Sequence, residues 1–408
     1  MKTPRAILLF LLGINLLNYI DRQVIFAVFP PIKAEFSLSD IRLGLLASAF
    51  MWVYLSTAPI FGLLADRWSR PRLMAVGVAL WSLATALSGV VRGYSGLLFA
   101  RAVVGVGEAS YGSVAPALLS DAFPPARRGF ALAMFSMAIP VGSALGYLLG
   151  GLLEGAFGWR TAFFLVGVPG LLLASWLGRM PDLPRGGIDA AAASGRDARP
   201  PRVGDYFRLL RTPSFLLNCL AMTAMTFAVG GLAAWVPTYL TRVRGMALDQ
   251  ANLLFGLLTL VSGVGGTVLG GWMGDRLLPR LPTAYFLVSG IGLLFSVPAA
   301  AAVILLPDLR WVLFAIFVAE FCIFLNTGPL NAIIANVSRP EVRSGAYAAN
   351  IFVIHALGDA ISPAIIGAVS DRAGLATAFW IAPGALGLAA AFCLWGMWHL
   401  TRDAAAAQ

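Results

Sequence analysis

Apolar residues run in stretches of about 20 or more along nearly the whole chain, parted by short breaks rich in charge or proline. Each stretch is long enough to cross a hydrocarbon core about 30 Å thick. Twelve such runs are predicted, over residues 6–30, 41–65, 73–91, 95–120, 129–153, 160–179, 213–240, 249–274, 283–305, 309–334, 343–369 and 375–398. The predicted fold is an all-α integral membrane protein of twelve transmembrane helices in two six-helix pseudo-repeated halves. The longest polar interval, 180–212, separates run six from run seven and reads as a flexible cytoplasmic linker. Its amphipathic piece DYFRLL is suited to lying on the membrane surface. The expected domains are therefore 1–179, the linker 180–212, and 213–408.

Phrases repeat across that linker. FGLLADRWSRPRL (61–73) closes run two and GGWMGDRLLPRL (270–281) closes run eight, which sets Asp66 and Arg67 against Asp275 and Arg276 at an offset of 209. ARRGFALAMFSMAIPVGSALG enters run five and EVRSGAYAANIFVIHALGDAIS enters run eleven; Gly129 and Gly345, like Gly142 and Gly358, differ by 216. Two matches at nearly one offset indicate parallel repeats, the plan of transporters that hold their substrate between two halves near the bilayer midplane.

Composition agrees. Only 12% of the 408 residues are charged and 59% are hydrophobic, whereas soluble domains carry about 25% charged residues. The formal charge of +10 does not point to nucleic acid, because no basic block is interleaved with aromatics. With the N-terminus inside, 19 of the 29 Lys and Arg fall in cytoplasmic segments, eight in outer loops and two, Arg22 and Arg101, in the membrane. Both termini are therefore expected in the cytoplasm. Two lysines against 27 arginines and abundant alanine suggest a bacterium with a GC-rich genome, and hence its inner membrane. The first run follows Met1, Lys2 and Arg5 and could pass for a secretory signal, but no soluble domain follows it. Cys219, Cys322 and Cys393 all lie in apolar runs, so neither a disulfide framework nor a metal site is expected. The Asn-Val-Ser at 336–338 falls at the expected cytoplasmic face and is read as a chance match to a glycosylation pattern.

Ionisable groups at the bilayer centre cost about 2.5 to 3.5 kcal/mol each on insertion scales, so they normally face an interior or a watery cavity. The candidates are Asp21, Arg22, Arg101, Glu108, Glu320, His355 and Asp359. Arg101 and Glu108 share a face of run four but stand about 10 Å apart along its axis, too far to neutralise each other. Measured from the outer helix ends, Asp21 falls at a depth between them, which predicts an Asp21–Arg101 pair and leaves Glu108 in apolar surroundings, an arrangement suited to a proton carrier. A salt bridge that only locks helix packing is the lesser alternative for Asp21 and Arg101; it explains Glu108 less well. Glu320 and Asp359 are open between coupling site and satisfied polar contact, and His355 reads as a packed polar residue. Gly142, Gly146 and Gly150 form a small-xxx-small stripe for close helix approach, with Pro140 permitting a bend.

Several of these segments resemble a known family. GLLADRWSRPRL resembles the loop signature of the major facilitator superfamily, and RAVVGVG its fourth-helix signature, with Val104 where a glutamine is customary. NYIDR (18–22), RAVVGVGEASYGSVAPALLSDAF (101–123), AIPVGSALGY (138–147), EFCIFLN (320–326) and HALGDAISPAIIG (355–367) together resemble the Spinster family. The resemblance implies alternating access and proton-coupled transport of lysolipids such as sphingosine-1-phosphate or lysophospholipids. It further implies coupling residues Asp21, Arg101 and Glu108 and substrate-binding residues Arg22, Arg101 and Glu108, to which the residue reading adds Glu320 and Asp359. The cytoplasmic gate it implies contains Asp66, Arg67 and Arg70, with Asp275 and Arg276 as repeat counterparts. In that gate Asp66 would cap the N-terminus of helix eleven.

Runs seven to nine carry no central charge, and a cavity polar on one wall and greasy on the other suits an amphiphilic anion. Phe227, Trp235 and Phe255 are candidates to flank its tail, although ordinary packing explains each of them too. No cofactor is expected beyond protons as coupling ion; the expected partners are the bilayer and a lipid-like substrate, without nucleic acid, and the protein is expected to work as a monomer. Other cargoes remain open, namely a drug-like cation, a sugar acid or another organic anion. So does a non-transporting receptor on the same fold. A membrane enzyme is disfavoured, because two histidines and no HExxH, GxSxG or GxxxxGK[ST] supply no catalytic centre.

Overall fold

A computed structural model describes residues 3–65, 67–184, 209, 211–339 and 342–407. Most of the linker interval, 185–208 and 210, including nearly all of DYFRLL, lies outside the described residues, as does Asp66. The described residues form twelve helices long and apolar enough to span a membrane, labelled α1 (Pro4–Ala27), α2 (Asp40–Ala65), α3 (Arg70–Ser88), α4 (Tyr94–Ala122), α5 (Phe130–Phe157), α6 (Trp159–Leu177), α7 (Pro213–Arg242), α8 (Leu248–Leu277), α9 (Ala284–Leu305), α10 (Leu309–Asn336), α11 (Gly345–Ala373) and α12 (Leu375–Ala406). The protein is an all-α integral membrane protein, and each predicted run corresponds to one of these helices.

The predicted runs treat each span as continuous, but α12 breaks after its first turn, between Leu375–Ala378 and Ile381–Ala407, and four others are interrupted for one reason. Proline lacks the N–H that bonds the carbonyl four residues earlier, and its ring crowds that carbonyl. Pro30 and Pro31 end α1 at Ala27, and a separate short helix, Phe29–Phe36, follows. Pro140 frees the Ser136 carbonyl, and α5 breaks at Met137 between Pro125–Ser136 and Ala138–Phe157. Pro329 does the same to Leu325, where α10 breaks into Leu309–Phe324 and Thr327–Asn336. Pro363 frees Asp359, the last residue of a π-helical turn, His355–Asp359, inside α11. The prolines inside α2, α4 and α6 interrupt nothing.

Contacts gather the described residues into two compact units. One holds the residues up to 184 together with Ala234–Gly256; the other holds the described part of 209–233 and everything from Leu257 onward. The joining ends of α7 and α8 thus belong to the first unit. There Arg242 makes a bidentate pair with buried Asp40 (2.8 and 3.0 Å), which Lys33 also contacts, and Asn252 donates to the Ala27 carbonyl at 3.0 Å. Trp235 meets Phe29 edge-on and Phe255 meets Tyr147, with centroids 5.5 and 4.8 Å apart. Both aromatics are core packing, not free wall for a lipid tail; Phe227 is half-buried on α7. Outside the spans, Glu35 accepts from Arg160 at 2.6 Å and from Trp159 at 2.8 Å, and the Arg160 bond holds its carboxyl below the usual range. In the second unit, a buried apolar cluster joins Phe215, Phe286, Leu293, Leu330, Leu386 and Cys393.

The α5 glycine stripe seats α1. A Cβ at Gly142 would lie 2.7 Å from Tyr19 Cβ, at Gly146 2.7 Å from both Gln23 Cβ and the Ile20 carbonyl, and at Gly150 2.5 Å from Ala27 Cβ. Gly146→Val should therefore push α1 off α5 and lower stability by about 1 to 3 kcal/mol, the usual scale of overpacking. Thermal melting of the purified variant would read this, and a wild-type melting temperature would contradict it.

Candidate functional site

Residues 101, 105, 108 and 112 of α4 recur every three to four positions and share one helix face. That face alternates charge and gap: Arg101, Gly105, Glu108, Gly112. Asp21 and Arg22 are successive residues of α1, project about 100° apart, and so reach different partners on it. Arg101 Nη1 lies 3.7 Å from Asp21 Oδ1, while Arg22 Nε donates to Glu108 Oε2 at 2.6 Å. Asp21, Arg101 and Glu108 are at most 1% exposed. From α3, Thr85 donates its hydroxyl to Asp21 Oδ2 at 2.5 Å.

The expected Asp21–Arg101 pair is therefore present, but Glu108 does not sit in purely apolar surroundings. Its cation comes from α1 and not from its own turn, which inspection of run four alone cannot reveal. Counted as ionised, the four groups are two carboxylates and two guanidiniums, and their formal charges cancel. At 3.7 Å the Asp21–Arg101 approach is an ion pair without a hydrogen bond, and Asp21 Oδ1 and Arg101 Nε have no hydrogen-bond partner among the described residues. Such buried polar atoms cost about 1 to 3 kcal/mol each when left unmatched. Aromatic rings soften the burial: the Arg22 guanidinium lies 5.1 Å from the Tyr19 and Phe50 centroids and 5.0 Å from Tyr54, and Arg101 lies 4.9 Å from Phe50. Desolvated cation–π contacts are worth about 2 kcal/mol or more.

The second unit holds two smaller polar groups. Glu320 on α10 accepts from Thr259 and Ser262 of α8, both at 3.0 Å, with no cation at ion-pair distance among the described residues. On the π-helical turn of α11, His355 Nδ1 stands 3.0 Å from both oxygens of Asp359. Gly230 of α7 is what lets α11 approach so closely at Asp359, since any Cβ there would collide with it. His355 is thus paired as well as packed.

The matched residues and fold identify the chain's relatives. Residues 11–363 match the Major Facilitator Superfamily. The chain is 38% identical to protein spinster homolog 3 of Danio rerio over 88% of this chain and 75% of that one, and 38% identical to protein spinster homolog 1 of Homo sapiens over 88% and 71%. The chain belongs to the Spinster family of the major facilitator superfamily. A solved bacterial homologue of the human lysosomal transporter Spinster, in an inward-facing and unoccupied conformation, superposes with a TM-score of 0.89 at 25% identity, covering 99% of both chains. The protein is a transporter of the Spinster type and not an enzyme.

In this Spinster transporter the described members of the expected gate have different surroundings. Arg67 and Arg276 are exposed, the latter 5.7 Å from the Trp272 ring, and Asp275 accepts from the Tyr285 hydroxyl at 2.9 Å. Arg70 is instead buried in a network that sequence reading missed. It donates to Asp121 of α4 at 2.6 Å, to Asp182 at 3.1 Å and to the Leu183 carbonyl at 2.7 Å, and its own N–H donates to Asp182 at 3.1 Å. Arg70→Gln should untie α3 from α4 and from the segment after α6. Removing one partner of a buried pair costs up to about 3 to 5 kcal/mol, and the partly exposed aspartates place this loss at or below the lower figure. Thermal inactivation would show it, and an unshifted curve would count against the network. Asp182 carried no sequence signal beyond being acidic, and Asp121 stood in the family-like stretch 101–123 without a role of its own. Thr85, Phe50 and Tyr54 were equally silent, because helix crossings and not local spacing bring them to the site.

Proposed function

We propose that this Spinster transporter moves a lysolipid or similar amphiphilic anion by alternating access, coupled to protons through Glu108. The carrying observation is the quartet of Asp21, Arg22, Arg101 and Glu108, two formal charges of each sign, in which Arg22 alone is partly exposed and the other three are buried. A proton on Glu108 leaves that quartet with one uncompensated positive charge, and Arg22 is then available to an anionic headgroup. Deprotonation restores the internal pair and ejects the anion. One proton thus makes the site attractive to its cargo, and losing it makes the site indifferent.

Arg22 and Arg101 hold the headgroup in this reading, Asp21 keeps Arg101 in place, and the charge-poor central stretches of α7 to α9 suit an acyl tail. The protein works as a monomer in a bacterial inner membrane with both termini in the cytoplasm, and residues 1–179 and 213–408 rock as halves around the linker 180–212. Asp66, Arg67 and Arg70, with Asp275 and Arg276, act on the cytoplasmic side.

Purified protein in proteoliposomes should carry labelled lysophospholipid faster under an imposed pH gradient than without one. Gradient-independent flux would remove the proton, and no lysolipid flux in folded protein would pass the lead to a different cargo. The rival is export of small organic ions, favoured by one observation: Glu320, with two hydroxyls and no cation at ion-pair distance among the described residues, offers a contact for a positively charged cargo. Competition by cationic and anionic ligands separates the two.

A further inference from the structure

Phe50 has no place in the proton scheme above, yet among the described residues its ring is the one that faces both guanidiniums. Its centroid stands 5.1 Å from the Arg22 guanidinium and 4.9 Å from that of Arg101. One turn further along α2, Tyr54 stacks on Arg22 as well. Both residues owe their position to the gaps in the α4 face. A Cβ at Gly105 would lie 2.5 Å from the Phe50 carbonyl and 3.2 Å from the Tyr54 nitrogen, and one at Gly112 would strike the Tyr54 hydroxyl. The glycines between Arg101 and Glu108 and just beyond thus admit α2 backbone and rings to the space beside the two charges.

We infer that Phe50, supported by Tyr54, is a positioning residue that holds the Arg22 guanidinium in the site after Glu108 has taken up its proton, and so sets the pH at which the pair opens. The reasoning rests on the proton-coupled reading of Glu108 given above. An ion-paired guanidinium presents the ring with a field largely cancelled by its carboxylate; an uncompensated one presents its full charge. The ring therefore favours the opened state over the paired one. Without it, Arg22 loses one of the three rings around it and leans more on the carboxylate, and a proton must compete with a tighter pair.

The charged and titratable groups around Glu108 are few. α1 contributes Tyr19, Asp21 and Arg22, α2 contributes Tyr54, and α4 itself contributes Arg101 and Tyr111. The Tyr111 hydroxyl is taken up by the Leu11 carbonyl at 2.5 Å, and α3 offers the Thr85 hydroxyl, which goes to Asp21. The Tyr19 and Tyr54 rings also face Arg22, but among the described residues the Phe50 ring is the one that faces both Arg22 and Arg101.

The test is the pH profile of lysophospholipid flux in proteoliposomes for wild type, Phe50→Leu, Phe50→Tyr and Tyr54→Leu. Phe50→Leu keeps apolar bulk and removes the ring. Its half-maximal flux should move to lower pH by at least about half a unit, a roughly threefold loss in proton affinity and a roughly twofold loss of flux at the wild-type midpoint, with the maximal rate in acid largely kept. Phe50→Tyr should restore the midpoint. Tyr54→Leu, at a half-buried position, should move it the same way by less, and it serves if Phe50→Leu fails to fold. A uniform loss of flux at every pH, or a midpoint unmoved by either leucine, would overturn the inference while a Glu108-dependent profile leaves the transport reading standing. A wild-type profile that Glu108→Gln does not alter would sink both.

Discussion

Glu108→Gln is expected to abolish proton-driven accumulation while leaving exchange of the cargo intact. Glutamine keeps the shape of the side chain and an oxygen to accept from Arg22 Nε, but it fixes the site in the charge state that a proton otherwise creates. The variant should bind an anionic lysolipid in alkaline solution as well as wild type does in acid, and its affinity should be nearly flat with pH. Coupling should disappear. One pH unit across the membrane is worth about 1.36 kcal/mol per proton, so one coupled proton supports up to about tenfold accumulation, and each 100 mV adds about 2.3 kcal/mol where charge moves with it. Under the same gradient the variant should stop at equal concentrations on both sides. Counterflow of labelled against unlabelled lysophospholipid should persist, which separates an uncoupled carrier from a broken one. A variant that still concentrates its cargo would take Glu108 out of the proton path, and one that loses counterflow as well would give Glu108 a structural part.

Run length and hydropathy made the twelve helices legible, because crossing a bilayer imposes a length and a composition that no tertiary contact can override. The interior charges were legible for the same reason: few groups are tolerated there, so each stands out. Depth along an ideal helix even brought Asp21 to Arg101, since rise per residue is fixed by backbone geometry. It did not find Arg22 for Glu108, because that contact depends on the rotation of α1 against α4, which helical rise leaves free. The interruptions in α1, α5, α10 and α11 were marked by prolines in plain view, but equally visible prolines in α2, α4 and α6 interrupt nothing, and only packing distinguishes the two sets. Phe50 and Tyr54 were invisible among 26 phenylalanines and nine tyrosines. Their meaning comes from two glycines on another helix. The same limit applies to Arg70, whose family-type gate position hid the two aspartates that hold it.

Asp21→Asn should be the most destabilising single change at the site. Asparagine can still meet Thr85, but Arg101 would be left 1% exposed with no carboxylate of its own, and Glu108 is already held by Arg22. Breaking a buried pair by removing one partner costs about 3 to 5 kcal/mol, since the remaining charge stays desolvated and unmatched. The Phe50 ring and some sharing of Glu108 place the expected loss near 3 kcal/mol, visible as a clear fall in melting temperature. Stability and transport should then part company in the double variant Asp21→Asn with Arg101→Met. With both charges gone, burial no longer has an ion to penalise, and an apolar replacement of a buried pair is often neutral or stabilising. The double variant should melt close to wild type yet carry little lysophospholipid. Recovery of both stability and flux would mean that the Asp21–Arg101 pair only locks α1 to α4. Recovery of neither would mean that the two residues act through partners other than each other, and the coupling energy of the cycle would then be near zero.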